Sequence, residues 1–399
     1  MEWSYDIYQG AKRVQRLESS PIRTILDKAA ALRAEGFRVI PFSAGEPDFN
    51  TPEDIKQATI QALNENYTHY GSNRGLPKLR ENIAAMAKEE IGIEYRPEDE
   101  VYVTSSGAEA LNNAILSFVD EGDEVIIFSP AFVSYKNLVK FAGGTVIDIP
   151  LKKENHFQID LDEVSGKITS RTKMIIINNP NNPTGAVYEK KTLARLCKLA
   201  VRRNILVLSD EMYSRLTYGG ARFHSIASFP EMKERSIIVN GFSKTYAMTG
   251  WRLGYILTDA RLGKCIIKTH QYSTTCSPTF LQVGLANAMF SEKTKQETEC
   301  MIAEFAKRRL VMLEGIEAIP KLSCVEPNGA FYIMVDVSQT GLSGEEFAAK
   351  LLEEEKVAAV PAVGLGSGCP EFVRFSFAAS MEDIEEGLKR LAAFCERLS

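Results

Sequence analysis

The sequence is short of the residues on which several kinds of protein chemistry depend. It contains only four histidines, and its seven cysteines are scattered, with no Cys-x-x-Cys pair. None of these side chains has the spacing of a zinc site, so we expect neither a metal centre nor histidine-based acid–base chemistry. An odd, dispersed set of cysteines is more typical of reduced thiols than of a disulfide framework.

The chain also lacks long apolar runs and an excess of positive charge. No apolar run approaches the ~20 residues of a membrane-spanning helix, and the start, Met-Glu-Trp-Ser-Tyr-Asp, does not have the pattern of a signal peptide. With 47 basic and 52 acidic residues, the net charge of -5 gives no electrostatic basis for binding nucleic acid. We therefore expect a cytoplasmic protein that binds neither membranes nor nucleic acids.

What the sequence does contain is the alternation of an α/β protein. Between residues 101 and 260, short runs rich in Ile and Val alternate with amphipathic stretches. Continuous apolar runs favour strands that are buried on both faces of a sheet. The strands predicted from these runs are Val101–Thr104, Val125–Ser129, Met174–Asn178, Ile205–Ser209, Ser236–Asn240 and Tyr255–Thr258.

The pattern changes after about residue 290. A chain of 399 residues is too long for one small core. We expect a large domain of residues 41–290 and a smaller α+β domain formed by residues 1–40 and 291–399. The elements predicted in this second part are a helix containing Glu304–Leu313, a strand at Ala330–Val335, a helix at Gly344–Lys356, a strand at Phe372–Phe377 and a closing helix that includes Leu388–Cys395.

The first of four segments that suggest chemistry follows the strand Val101–Thr104. Small residues turn the chain at Ser105–Gly107, and a helix opens after them. Free N–H groups at a helix N-terminus, with little side-chain bulk around them, form a pocket suited to phosphate. An ordinary strand-to-helix turn would have the same composition, so this segment alone leaves both interpretations open.

The second and third segments follow two further predicted strands. Asn178–Gly185 contains two prolines, which stiffen the loop that carries Asn182, although a purely structural turn is an alternative. Asp210 stands at the end of a buried strand, where a carboxylate is costly unless it meets a cation or several donors. Tyr213 lies one helical turn further on, so both side chains can reach one side of a planar ligand. A helix N-cap is the simpler role for Asp210.

The fourth segment is Ser243–Tyr255, with the sequence SKTYAMTGWRLGY. Lys244 follows a predicted strand, and Arg252 stands eight positions later. A lysine in this place suits a Schiff-base amine next to a phosphate clamp. A single lysine is more often a solvated surface charge, but four such segments in this order favour the functional interpretation.

Together the segments resemble those of the class I and II aminotransferases, which are pyridoxal-phosphate enzymes of fold type I. The resemblance extends from Ser43–Phe49 to Val373–Phe377, and the Asn-Pro-Thr-Gly, Asp-x-x-Tyr and Ser-Lys-(x)7-Arg elements are jointly specific. It implies an α/β fold with a mostly parallel, mixed sheet between helices in the large domain, and a smaller α+β domain. It also implies a homodimer, the cofactor pyridoxal 5′-phosphate, and an L-amino acid and a 2-oxo acid as substrates.

The resemblance assigns a role to each motif residue. Lys244 would be the Schiff-base lysine, Asp210 would pair with the pyridine nitrogen and Tyr213 would bond the ring oxygen, so these three would be catalytic. The other residues implied to bind the cofactor are Ser106, Gly107, Ala108 and Glu109 through backbone N–H groups, Arg252 at the phosphate, Phe132 stacked on the ring, Asn182 at the ring oxygen, Ser243, and Tyr70 reaching the partner subunit. The residues implied to bind substrate are Arg374, at the α-carboxylate, with Gly45, Phe132 and Asn182.

Two departures from the family pattern bear on this assignment. Gly241 stands where many members have Ser or Thr, and Ala108 stands where an acid-specific branch has a lysine that reads a distal carboxylate. Arg74 is a candidate to replace that lysine. The segment Gly45–Pro52 nonetheless resembles the branch of bacterial aspartate and aromatic aminotransferases, so aspartate is the first donor expected, with 2-oxoglutarate as an acceptor.

Two other functions remain open at this point. A pyridoxal-phosphate-dependent carbon–sulfur β-lyase would share nearly all these residues. A cofactor-sensing regulator on the same fold would need an N-terminal DNA-binding module with a basic face, for which we expect no room before Gly45.

Overall fold

The computed structural model describes residues 8–17 and 21–398. Residues 1–7, where no signal peptide is predicted, lie outside this range, as do residues 18–20 and 399. All of these residues belong to the expected small domain. None of the helices in the described range is long and apolar enough to cross a bilayer.

The strands of the described residues are β1 Val101–Thr104, β2 Glu124–Ser129, β3 Thr145–Pro150, β4 Thr172–Asn178, β5 Leu206–Asp210, β6 Ser236–Gly241, β7 Gly254–Thr258, β8 Ser323–Cys324, β9 Tyr332–Asp336, β10 Val360–Pro361 and β11 Phe372–Ser376. The α-helices are α1 Lys12–Gln15, α2 Pro21–Ala34, α3 Glu53–Asn64, α4 Pro77–Ile91, α5 Gly107–Phe118, α6 Ser134–Ala142, α7 Leu161–Lys167, α8 Lys190–Arg203, α9 Phe242–Thr245, α10 Ala260–Ser273, α11 Thr279–Ala288, α12 Glu292–Glu317, α13 Gly344–Glu355 and α14 Met381–Arg397. Short 3-10 helices lie at Lys153–Asn155, Ile226–Ser228, Thr249–Trp251, Ser338–Thr340 and Ala362–Leu365.

The larger sheet has seven strands in the order β1-β7-β6-β5-β4-β2-β3. β7 runs antiparallel to both neighbours, and the other pairs are parallel. Successive strand residues enter different cores: Ile175 and Val207 pack into the core on one face, and Met174 and Leu208 into the core on the other. The predicted mostly parallel, mixed sheet buried between helices is therefore confirmed.

All six strands predicted between residues 101 and 260 form, but β3 was not predicted. β3 lies at the edge of the sheet, and its residues are mostly only half-buried. Its apolar run is interrupted by Asp148, which accepts a hydrogen bond from Ser129. An edge strand does not need the continuous apolar pattern by which the central strands were recognised.

The second sheet is antiparallel, in the order β10-β11-β9-β8, and α12, α13 and α14 belong to the same part of the chain. The predicted helices and longer strands after residue 290 all form, whereas β8 and β10 have only two residues each. The chain before the large sheet joins this unit, since Ile40 exchanges backbone hydrogen bonds with Lys356 and Ala358. The expected domain boundary near residue 290 stays a prediction, because α12 packs against both α14 and α3.

The strand directions explain where the chemically suggestive segments meet. The parallel strands β4, β5 and β6 end at Asn178, Asp210 and Gly241, and β1, which runs in the same direction, ends at Thr104. Ligand sites in open α/β sheets lie beyond these carboxyl ends. Segments that are far apart in sequence, such as those after Thr104 and after Gly241, therefore reach one edge of the sheet.

β7 approaches the turn before α5 very closely at Gly254. A Cβ atom built on Gly254 would lie 2.6 Å from the Gly107 nitrogen and 2.6 Å from the carbonyl carbon of Ser106. Both of those atoms are backbone, so a side chain could fit only if the strand or the turn moved.

We expect Gly254→Ala to lower the free energy of unfolding by about 1–3 kcal/mol, because overpacking forces backbone shifts. The matched control is Gly166→Ala in α7, where no atom lies within 4 Å of the added Cβ. That change should leave stability unchanged or raise it by up to about 1 kcal/mol, since Ala favours helix over Gly. Urea unfolding of both variants measures this, and a Gly254→Ala protein as stable as the wild type would contradict the close approach.

Candidate active site

A cavity of about 300 Å³ opens beyond the carboxyl ends of the parallel strands. It is bounded by the large sheet's loops on one side and by residues of β9 and β11 on the other. The predicted site residues that line it are Gly45, Ser106, Gly107, Ala108, Phe132, Asn182, Asp210, Tyr213, Ser243, Lys244, Arg252 and Arg374. The structure thus brings together most of the set that the motifs suggested.

Lys244 lies in α9, the single helical turn that follows β6. Its half-buried side chain donates a hydrogen bond from Nζ to the Gly45 carbonyl. Burial, and then the positive charges of Arg252 and Arg374, lower the pKa of Lys244 to about 8, although Glu46 and Asp210 act in the opposite direction. A much larger share of this amine is therefore neutral and nucleophilic near neutral pH than of an ordinary lysine.

Asp210 ends β5 and is buried, with 7% of its surface exposed. Its Oδ2 accepts a hydrogen bond from the Tyr135 hydroxyl at 2.7 Å, and its Oδ1 accepts one from the Met212 backbone N–H at 3.1 Å. Burial raises the pKa of Asp210, while these two bonds and the charge of Lys244 partly offset the shift. Among the described residues, the Asp210 carboxylate accepts hydrogen bonds only from these two uncharged groups. It is a buried carboxylate held by neutral donors.

Tyr213 and Tyr332 bring their hydroxyl groups within 3.1 Å of each other. Burial, followed by the neighbouring Tyr332, raises the pKa of Tyr213 well above its usual value. The Tyr213 phenol is therefore a neutral hydrogen-bond donor at physiological pH. Tyr332 comes from β9, so this pair joins the two sheets across the cavity.

Arg374, in the middle of β11, is 3% exposed. Its Nη1 donates to Asn182 Oδ1 at 3.1 Å and its Nη2 donates to the Ser43 carbonyl at 3.2 Å. The guanidinium lies 4.4 Å from the centre of the Tyr332 ring. Its Nε has no hydrogen-bond partner within the described part of the chain. Arg374 is thus a buried cation whose contacts are all with uncharged groups.

The loop after β4 is tied to the end of β5 by its own amides. Asn182 donates its backbone N–H to Asn178 Oδ1 at 2.7 Å, and Asn178 Nδ2 donates to the Asp210 carbonyl at 3.0 Å. These bonds fix the Asn182 side chain where it meets Arg374. The stiff mount expected for Asn182 is present.

The turn before α5 supplies the end of the cavity that suits phosphate. Gly107 and Ala108 open the helix, so their N–H groups have no preceding turn to bond. Arg252 lies in the left-handed region at φ 57° and donates from Nη1 to the Thr249 carbonyl at 2.8 Å. A helix N-terminus beside a guanidinium is a favourable place for an anion.

Three residues discussed from the sequence do not reach this cavity. Glu109 uses its N–H for Ser106 Oγ and turns its carboxylate toward His270. Tyr70 is 88% exposed and does not line the cavity of its own chain. Arg74 donates to the Glu98 carbonyl at 2.9 Å and lies over the Tyr102 ring, so in this chain it does not point to the cavity.

Sequence reasoning missed two tyrosines that the structure places beside the predicted residues. Tyr135 donates to Asp210, and Tyr332 contacts both Tyr213 and Arg374. Each lies on an amphipathic or apolar segment in which a tyrosine is equally suited to core packing. No local sequence pattern indicates these contacts, because the groups that the two tyrosines contact lie far away along the chain.

Comparison with known proteins identifies the family. A family model described as aminotransferase class I and II matches residues 38–391. The chain belongs to the class I and II aminotransferases.

The sequence of this aminotransferase aligns with those of its relatives over nearly their whole lengths. It is 43% identical to a probable aspartate/prephenate aminotransferase of Aquifex aeolicus, covering 97% of this chain and 99% of that one. It is 38% identical to aromatic-amino-acid aminotransferase 2 of Thermococcus litoralis, covering 95% and 96%. The structure of Thermus thermophilus aspartate aminotransferase with maleate superposes with a TM-score of 0.92 at 37% identity, covering 97% and 100%.

These matches confirm the predicted fold and aminotransferase activity. The carbon–sulfur lyase alternative is not favoured, because the relatives carry the names of aminotransferases.

The pKa of Lys244 in this aminotransferase can be measured through the reactivity of its amine. In the cofactor-free protein, the rate of labelling of Lys244 by trinitrobenzenesulfonate should rise with pH and reach half its maximum near pH 8, since only the neutral amine reacts. Glu46→Gln should move this midpoint to lower pH, because the Glu46 charge raises the pKa of Lys244. Peptide mass spectrometry follows the labelled site. A midpoint near that of a free lysine, ~10.4, would contradict the effect of burial.

Proposed function

We propose that this aminotransferase holds pyridoxal 5′-phosphate in the cavity and transfers the amino group of an L-amino acid to a 2-oxo acid. Aspartate is the first donor proposed and 2-oxoglutarate a suitable acceptor. Asp210 carries the proposal: it is a buried carboxylate whose hydrogen-bond donors, Tyr135 and Met212, are both neutral. A protonated pyridine nitrogen would supply the cation that a buried carboxylate requires.

The rest of the cavity suits the other groups of that cofactor. Ser106, Gly107 and Ala108, with Arg252, would hold the phosphate through backbone N–H groups and a charge-assisted bond. Tyr213 and Asn182 would donate to the ring oxygen, and Phe132 would pack against the ring. Ser243, beside the lysine, would support the phosphate end.

The bound cofactor would supply an electron sink for the pair of electrons left when the substrate Cα loses its proton. Asp210 would keep the pyridine nitrogen protonated by its negative charge. Lys244 would hold the cofactor covalently and, when released by the incoming amino acid, would accept the Cα proton on Nζ. An amine whose pKa is lowered toward neutrality by burial is suited both to take up a proton and to return it.

Arg374 would bind the α-carboxylate of the substrate. Its guanidinium is buried but bonded only to the neutral oxygens of Asn182 and Ser43, so a carboxylate would supply its missing counter-charge. Gly45 and Phe132 would border the same place. Holding the carboxylate in this way would orient the Cα–H bond toward proton loss and away from decarboxylation.

The residues of a single chain say less about which side chain the donor amino acid carries. The Ala108 side chain cannot bind a second carboxylate of the substrate, and the Arg74 guanidinium donates to the Glu98 carbonyl instead. Relatives of this chain carry both aspartate and aromatic names. Aspartate therefore remains the first proposal, with aromatic amino acids as a second class of donor.

A homodimer with shared active sites completes the proposal. Tyr70 projects from its own chain with 88% of its surface exposed. It would reach the phosphate bound by the second subunit, as the family resemblance implies. Each active site would then need two chains.

The proposal predicts that the purified protein binds pyridoxal 5′-phosphate and that borohydride fixes the cofactor to Lys244. Lys244→Ala should lose both the long-wavelength absorbance and the turnover of amino acids, because no other amine would take its place. Absorbance spectra, peptide mass spectrometry and a screen of amino donors with 2-oxoglutarate measure these outcomes. A protein that stays colourless with the cofactor, and in which borohydride labels no lysine, would contradict the proposal.

Arg374→Ala tests substrate binding separately from cofactor binding. It should raise the KM for the amino acid by about 30-fold or more, the scale of losing a buried charged contact, while the cofactor stays bound. Arg374→Lys should recover only part of the loss, because an ammonium cannot bind a carboxylate bidentately. Loss of the cofactor from Arg374→Ala would count against its assigned role. Release of pyruvate from cystathionine without amino transfer would indicate a lyase instead.

A further inference from the structure

Ser106 holds a backbone conformation that is unusual for a residue with a side chain. Its φ is 109° and its ψ is 164°, in a region occupied almost only by glycine. Such a conformation persists only where the surrounding structure enforces it. Ser106 begins the turn whose next residues, Gly107 and Ala108, line the cavity. Whatever holds Ser106 therefore also aims the N–H groups of this turn.

Glu109 holds this turn from two sides. Its backbone N–H donates to Ser106 Oγ at 3.4 Å, and its carboxylate Oε2 accepts from the Ser105 N–H at 2.5 Å. The sequence had suggested that the Glu109 N–H would bind phosphate, but that N–H is already used. Glu109 acts on the turn, not on the cavity, which it does not line.

His270, from α10, holds Glu109 in turn. His270 is buried, with 1% of its surface exposed, and its Nδ1 lies 2.7 Å from Glu109 Oε1. A carboxylate only accepts hydrogen bonds, so Nδ1 carries the proton. Asn113 Nδ2 donates to the same oxygen at 2.7 Å.

This arrangement keeps the carboxylate charged beneath the turn. Burial raises the pKa of Glu109, but the bonds from His270, the Ser105 N–H and Asn113 outweigh it, and the pKa is lowered overall. The Nε2 of His270 has no hydrogen-bond partner among the residues that the structure describes. The Nδ1 of His270 also lies 3.5 Å from Asn113 Nδ2, which is much farther than the 2.7 Å to the Glu109 carboxylate. The carboxylate is therefore the main partner of the ring.

We propose that Glu109 and His270 are positioning residues for the cofactor phosphate. The pair locks Ser105 and Ser106 in the strained turn, so that the N–H groups of Gly107 and Ala108 converge on one anion. It connects α10, which packs against α5, to the phosphate end of the cavity. This inference rests on the proposed function and names two residues that act through the turn, without touching the cofactor.

The test is the affinity of the cofactor-free protein for pyridoxal 5′-phosphate. Glu109→Ala should raise the dissociation constant about 10-fold to 100-fold, the range for a lost hydrogen bond to a charged group. Glu109→Gln should stay within about threefold of the wild type, because its amide oxygen can accept from Ser105 while its N–H group donates to the other tautomer of His270. The Asn113 amide, which donates to this position in the wild type, would turn over so that its oxygen faces the new N–H group. His270→Ala should weaken binding, and the double variant should bind no more weakly than Glu109→Ala.

The matched control is Glu124→Ala. Glu124 is also a buried, multiply bonded glutamate, but it begins β2, where it bonds Thr169 and Arg171. It should lower the stability of the protein without changing the dissociation constant. The ³¹P resonance of the bound phosphate should move in Glu109→Ala and stay in place in Glu124→Ala.

The outcomes separate the two levels of the proposal. A wild-type protein that does not bind the cofactor would overturn the proposed function itself. If the wild type binds, unchanged affinity in Glu109→Ala, an equal loss in Glu124→Ala, or a Glu109→Gln protein as weak as Glu109→Ala would overturn only the positioning role.

Discussion

The site depends on one buried charge, the carboxylate of Asp210, which accepts hydrogen bonds only from neutral donors among the described residues. Strand β5 delivers it to the carboxyl edge of the sheet, where it is buried against the Tyr135 hydroxyl and the Met212 N–H. Neutral donors solvate a carboxylate in part, but removing it from water still costs free energy unless a cation is nearby. A protein that keeps such a group at the centre of a cavity is complementary to a ligand that brings positive charge.

The opposite situation exists on the β11 side of the cavity. Arg374 is a buried guanidinium that donates hydrogen bonds to neutral oxygens. The charges of Arg374 and Asp210 act in opposite directions on Lys244: Arg374 lowers the pKa of the lysine and Asp210 raises it. The site thus presents a negative group that suits a cationic ligand atom and a positive group that suits a carboxylate. The amine that would carry out proton transfer responds to both charges. Preorganised charges of this kind require little rearrangement when the ligand arrives.

The sequence was informative where chemistry follows a strand end directly. Lys244 and Asp210 could be predicted because continuous apolar runs locate the central strands, and polar residues immediately after them must face the edge of the sheet. The sequence did not indicate roles for Tyr135 and Tyr332, because their partners lie far away along the chain and a buried tyrosine is equally suited to core packing. The Glu109 N–H, which the family resemblance assigned to phosphate, donates to Ser106 Oγ in the structure. The contact between the Glu109 carboxylate and His270, 161 residues away, had no local signal. The edge strand β3 was not predicted for a related reason, because a half-buried strand lacks the continuous apolar run of a central strand.

The most direct test of the central claim compares the unfolding free energies of wild type and Asp210→Asn, with and without pyridoxal 5′-phosphate. The amide retains one acceptor, and the Tyr135 hydroxyl can reverse to accept from its N–H, so the main change is loss of the charge. Because burial raises the pKa of Asp210 in the folded protein, stability is lost as the pH rises past the ordinary pKa of a carboxyl group. At alkaline pH the cofactor-free variant, which carries no such charge, should therefore be the more stable protein. With the cofactor bound the order should reverse, since only the wild type meets the pyridinium with a carboxylate. A cofactor-free variant less stable than the wild type, or equal stabilisation of both by the cofactor, would contradict the account.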